Sequence, residues 1–158
     1  MSGAQNFNNG LSPLNGTALN LPNVASGPAP VVAITAAVNL GAGVLKNVQS
    51  GTTYVITQAG GNYTITLPSV ANAGMQLTFI IGTAAAGNTV VADSAGGTTI
   101  IGLGICGGAG AVGAGTAHIN CNFIGGTALA GDRVQLISNG VNWLALGLSS
   151  AAGGITYT

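Results

Sequence analysis

The side chains that could be drawn together as a metal or catalytic site are His118, Cys106, Cys121 and Asp132. Their spacing argues against that chemistry. No C-x-x-C or H-x-x-x-H pair occurs, and in a continuous strand His118 and Cys121 point to opposite faces. A lone histidine is more often a hydrogen-bonded structural residue. Three copies of His118 gathered on a threefold axis would be the one route to a metal. The sequence contains no glutamate, and Asp93 and Asp132 each stand without a histidine nearby in sequence, so no acid/base pair is visible. We therefore expect no catalytic residues, no metal and no cofactor, and a protein that is not an enzyme.

Gly102-Leu-Gly104-Ile-Cys-Gly107 matches the G-x-G-x-x-G pattern of dinucleotide-binding loops. That function needs a helix immediately afterwards to aim its amino end at pyrophosphate. The residues that follow, from Gly108 to Gly115, hold too much glycine for a helix, so the glycines are expected to form a loop. Cys106 and Cys121 flank this region. They form an internal disulfide, cross-link two subunits, or stay free and buried; reduced thiols are the default for a protein made in the cytoplasm.

Composition narrows the partners. Four residues carry charge (Lys46, Asp93, Asp132 and Arg133), or 3% of 158, while 47% are apolar. With a formal net charge of zero, no field exists to hold nucleic acid or an anionic bilayer, and neither partner is expected. A free monomer so short of charge tends to associate, which residence in a larger assembly would resolve. Residues 1 to 30 lack the basic and apolar regions of a secretory signal.

The elements that must position these residues are strands. Residues 1 to 30 are rich in Asn, Gly, Ser and Pro, with apolar anchors at Phe7, Leu11, Leu14, Leu19, Leu21 and Val24. They read as an extended arm that docks on a neighbouring subunit. From residue 31 to 158 short β-prone runs recur about every ten residues without sustained helical periodicity. Candidates are 31–38, 44–48, 52–58, 63–67, 76–82, 89–92, 98–103, 117–124 and a final pair. No fixed repeat period is visible. The expected fold is all-β: an antiparallel β-sandwich or jelly-roll-like domain with an extended N-terminal arm.

The strongest local signal lies between Gly131 and Leu148. Two apolar-rich runs flank Asn139-Gly140, which suits a two-residue turn with positive φ at both central positions. That register pairs Ser138 with Val141, Leu136 with Trp143 and Val134 with Ala145 on a core face. It leaves Arg133, Gln135, Ile137, Asn142, Leu144 and Leu146 on a mixed face available to water, a second sheet or another subunit.

Tyr63-Thr-Ile-Thr-Leu67-Pro68, Ala73-Gly74-Met75-Gln-Leu-Thr-Phe79-Ile80, Gly131-Asp132-Arg133-Val-Gln-Leu136, Asn139-Gly140 and Trp143 together resemble a β-structured module of tailed-bacteriophage virion proteins. These include head decoration (cement) proteins, head fibres and tail-fibre domains. The resemblance spans about residues 50 to 148 and implies an antiparallel β domain, often trimeric, exposed on a virion. A heptad shaft and a long repeat are missing, which favours a small decoration subunit over a whole fibre. The expected function is thus a structural homotrimer at the virion surface, made in the host cytoplasm, that binds the major capsid protein and stabilises the shell. Its arm (Phe7, Leu11, Leu14, Leu19, Leu21) and Arg133 would form the interface. The alternatives are a receptor-binding or adhesive fibre tip that recognises a cell-surface glycan through Tyr54, Tyr63, Trp143 or Tyr157, and a self-assembling extracellular filament.

Overall fold

Alternation of apolar and polar residues makes strands that bury one face, and two sheets of such strands close around a shared core. The computed structural model describes residues 30–41, 48–57, 60–71, 73–84, 86–93, 97, 99–107, 110–112 and 116–158. Among these residues there is no helix. The strands are β1 (Val31–Ile34), β2 (Val38–Asn39), β3 (Thr52–Ile56), β4 (Tyr63–Thr66), β5 (Gln76–Ile81), β6 (Thr89–Ala92), β7 (Ile100–Cys106), β8 (Gly110–Val112), β9 (Ala117–His118), β10 (Asn120–Phe123), β11 (Arg133–Ser138), β12 (Trp143–Ser149) and β13 (Ile155–Tyr157). The eight-stranded sheet runs β1-β3-β5-β11-β12-β7-β8, with β9 also on β7, and the five-stranded sheet runs β13-β10-β6-β4-β2.

The all-β sandwich is as expected, but its sheets are mixed rather than antiparallel. Strands β1, β3 and β5 pair in parallel in one sheet, and β2, β4 and β6 do so in the other. The chain crosses to the opposite sheet after each strand, so β1 to β6 wind as stacked rungs. Each rung returns to register after 22 to 27 residues: Val31 meets Thr53, Thr52 meets Leu77, Tyr63 meets Thr89 and Val38 meets Ile65. The repeat is structural only, since successive rungs share no motif. Tyr54 and Phe79, in-register neighbours on β3 and β5, stack inside the core with ring centroids 5.1 Å apart.

In the larger sheet the winding stops at β5. The β11–β12 hairpin is inserted beside it, antiparallel to β5 through β11, and β12 then pairs in parallel with β7. Candidate strand 44–48 falls almost wholly outside the described residues. The expected run 117–124 is divided: β9 joins the larger sheet and β10 the smaller, with Ile119 at the crossing. Strands β8, within the Gly-rich stretch, and β13 were not foreseen from the sequence.

The core between the sheets holds Leu77, Phe79, Ile81, Ile100, Val134, Leu136 and Trp143 from the larger sheet, facing Ile65, Val91, Cys121, Phe123 and Ile155 from the smaller. The Tyr157 ring from the smaller sheet packs directly against Gly102 of the larger, where a Cβ would lie 2.2 Å from its Cε1. The first glycine of the G-x-G-x-x-G pattern therefore makes room for a buried tyrosine. Gly102 and Gly104 sit within β7, and the chain turns back at Gly107 towards β8 instead of starting a helix.

Candidate functional site

The hairpin is present, with Leu136 and Trp143 both fully buried as expected. Its register differs from expectation by two residues. Ser138 pairs with Trp143, Leu136 with Ala145 and Val134 with Gly147, which leaves a four-residue loop, Asn139 to Asn142. The reason lies in Asn139, whose Oδ1 accepts hydrogen bonds from the amides of Val141 (2.9 Å) and Asn142 (2.7 Å) and so closes a wider turn. Gly140 still supplies the positive φ, 91°. A slip of two residues keeps every side chain on its expected face, so the division into core and outer faces survives.

The outer face of the larger sheet is the most distinctive surface of the fold. Pairing registers align its side chains in three rows. The first is Ile101, Leu144, Ile137 and Gln76; the second Leu103, Leu146, Gln135, Thr78 and Thr53; the third Ile105, Leu148, Arg133, Ile80 and Val55. The β7 and β12 columns are wholly aliphatic. Leu103, Ile105, Ile137, Leu144 and Leu146 are 39, 51, 37, 42 and 41% exposed. Between them runs a groove of about 380 Å³ lined by Ile101, Leu103, Gln135, Ile137, Leu144 and Leu146. Arg133 projects at the exposed edge of this apolar field. The β11 and β12 columns of this face are legible in the sequence; the β7 column is not, because nothing in the sequence says which strand lies beside β12.

Asp132 points the opposite way and is 3% exposed. Its Oδ2 accepts from the Leu129 amide (3.0 Å) and the Ser149 hydroxyl (2.7 Å), and its Oδ1 accepts from the amide and hydroxyl of Ser150, both at 2.8 Å. Burial alone would push this carboxyl's pKa up, but the donors of Ser150, Leu129 and Ser149 outweigh it and hold the group below its ordinary value. The carboxylate thereby clamps the start of β11 to the end of β12.

The remaining candidates for chemistry gather around Tyr157. Its ring lies 5.7 Å from that of His118, and it pairs in register with Cys121. His118 Nε2 is 2.8 Å from the Thr116 hydroxyl. Both cysteines are buried and unbridged within the single chain; Cys106 donates to the carbonyl of Ile155. Burial pushes the Cys121 thiol up to about 12, which keeps it protonated and poorly nucleophilic. Among the described residues no group of three His, Cys, Asp or Glu side chains is placed to hold a metal ion. The aromatic residues considered for a glycan platform, Tyr54, Tyr63, Trp143 and Tyr157, are all buried in the core. Phe7, Leu11, Leu14, Leu19 and Leu21 lie outside the described residues.

No protein family, curated protein or solved structure matches this chain.

Proposed function

We propose that this chain is a non-enzymatic structural protein of a bacteriophage virion, a decoration (cement) subunit that self-associates and stabilises the capsid. The observation that carries the reading is the outer face of β7, β11 and β12: an ordered aliphatic field on a sandwich whose core is already complete. Such a face serves association rather than chemistry. Both aspartates are buried, at 5% and 3% exposure, so contacts through this surface would depend little on salt or pH. The likeness of residues 50–148 to virion β modules supplies the virion assignment. Residues 1–30 would then act as the arm that reaches the major capsid protein or a neighbouring subunit.

Cryo-electron microscopy of the particle that carries the protein tests this reading. Density distributed over the capsid lattice is expected. Absence of the protein from purified particles refutes it. Deleting residues 2–27 should abolish binding to shells, and undiminished binding would remove the arm from the account. The stacked rungs of β1 to β6 favour a second reading, a fibre or filament domain, since such coils extend by adding rungs at a free sheet edge. Density confined to the tail or to fibres would select it.

A further inference from the structure

We propose that the partner covering the outer face of β7, β11 and β12 is the same face of another copy of this chain. This deepens the reading above and rests on its self-association, not on the virion assignment.

Size is the first argument. The exposed fractions of Leu103, Ile105, Ile137, Leu144 and Leu146 leave roughly 400 Å² of aliphatic surface in one contiguous field, at the scale where exposed patches mark interaction sites. Half-buried Ile101 and Leu148 and exposed Gln135 and Arg133 extend the face towards the ~800 Å² per partner of a standard stable interface. A single docked peptide would cover only part of such a field.

Charge is the second. Arg133 is the only charged residue in the three rows, and both aspartates of the chain are buried. A partner recognised through charge would meet almost nothing to read, whereas an aliphatic field meets its own copy without a desolvated mismatch. When two such faces meet with their strand directions reversed, the third row of one lies over the first row of the other. The two Arg133 groups then stand at opposite ends of the contact, each over the end that carries Ile137 and Gln76, so they do not repel at close range.

Position in the sheet is the third. Val31 begins β1 at one edge of the sheet, and β12 lies four pairings away in the order β1-β3-β5-β11-β12, roughly 19 Å across the sheet. Between β1 and the aliphatic columns the outer face carries Thr53, Thr78 and Gln135. A second copy reaches those columns directly, face to face at the ~10 Å spacing of packed sheets.

Sedimentation velocity of the full chain, from about 1 to 100 µM, the range that detects association of micromolar strength or tighter, should show twice the single-chain mass. Leu146→Glu and Leu103→Glu should each weaken association at least about 100-fold, because each buries a carboxylate in the contact. Both positions are exposed in the single chain, so the circular dichroism spectrum and urea midpoint of each variant should stay at the wild-type value at low concentration. Oxidised Leu146→Cys should yield disulfide-linked pairs in which Cys106 and Cys121 stay unreacted. A wild-type chain that sediments as a single copy at about 100 µM overturns the proposal, as does a multimer indifferent to both glutamates. A single-copy protein found spread over the capsid would overturn this proposal alone, and a multimer absent from particles would overturn the virion reading alone.

Discussion

Replacing Asp132 with Asn tests how far one buried carboxylate holds the final hairpin in place. The wild-type oxygens accept four hydrogen bonds at 2.7 to 3.0 Å, two from amides and two from hydroxyls. Asn keeps the shape but turns one acceptor into a donor. Whichever way the new amide is turned, its NH₂ faces either the Leu129 amide or the Ser150 amide, and that N–H loses its partner. The hydroxyls have other options, since Ser149 Oγ is already 3.1 Å from the carbonyl of Ala151. Hydrogen bonds to a charged acceptor contribute about 1.5–3 kcal/mol each, and an unpaired buried donor costs about 1–3 kcal/mol. The substitution should therefore cost about 2–4 kcal/mol at pH 7, a shift of roughly 1–2 M in the urea midpoint.

The effect should also depend on pH in a defined direction. The folded pKa of Asp132 lies below its unfolded value of roughly 3.9, so its contribution is fully present above that value. It is lost as pH falls through the folded pKa, because the unfolded chain takes up the proton first. The gap between wild type and Asp132→Asn should be constant from about pH 5 to 8 and narrow below about pH 4. With no Glu in the chain, few other carboxyls obscure the measurement. Urea titrations followed by tryptophan fluorescence report on it directly, since Trp143 starts β12. A difference within about 0.5 kcal/mol at pH 7, the range of an ordinary surface change, would refute the argument. So would a gap that persists undiminished at low pH.

Gly102→Ala places a methyl group within 2.2–2.5 Å of the Tyr157 ring and should destabilise the sandwich by about 1–3 kcal/mol or displace β13. Adding Tyr157→Leu should recover part of that loss in thermal unfolding, and strict additivity would show that the two do not meet. The thiols should be inert in the folded protein. At pH 8 a thiol-exchange reagent should label neither Cys106 nor Cys121 until denaturant is added and both after it; fast labelling of the native chain would contradict their burial.

The sequence disclosed the faces of strands better than their neighbours. Tyr63, Ile65 and Leu67 read correctly as one buried side of a strand, because alternation follows from the pleat and from burial on one face. The same alternation serves parallel and antiparallel partners alike, so the rungs of β1 to β6 could not be seen in it. Their repeat stayed hidden for a related reason: what repeats is the direction of the side chains, while residue types change from Val31 to Thr53 to Thr78. The hairpin register depended on one amide side chain, Asn139, choosing the amides of Val141 and Asn142, a preference that dipeptide statistics do not carry. The aliphatic face was half legible. Leu144 and Leu146 announce it, but Ile101, Leu103 and Ile105 join it only because β7 docks beside β12 across a long sequence separation. The pattern G-x-G-x-x-G was the reverse case, a motif whose first glycine answers to Tyr157, fifty-five residues from Gly102, and whose last answers to the backbone of Ser150.

The insertion of β11 and β12 between β5 and β7 also sets the order in which the chain can be completed. As residues emerge during synthesis, β1 to β6 can wind locally, each rung on the one before it. Strand β7 appears next, yet its neighbour β12 has not been made, and the edge of β5 that β11 will occupy stands open. The larger sheet is joined across its middle only when residues 133–149 arrive, which makes the last step the one that links the two halves. Contacts of such separation form slowly, so a nascent or truncated chain would expose two β edges for as long as it waits. Expression yield should therefore depend more on the speed with which the final hairpin closes than on the stability of the finished sandwich.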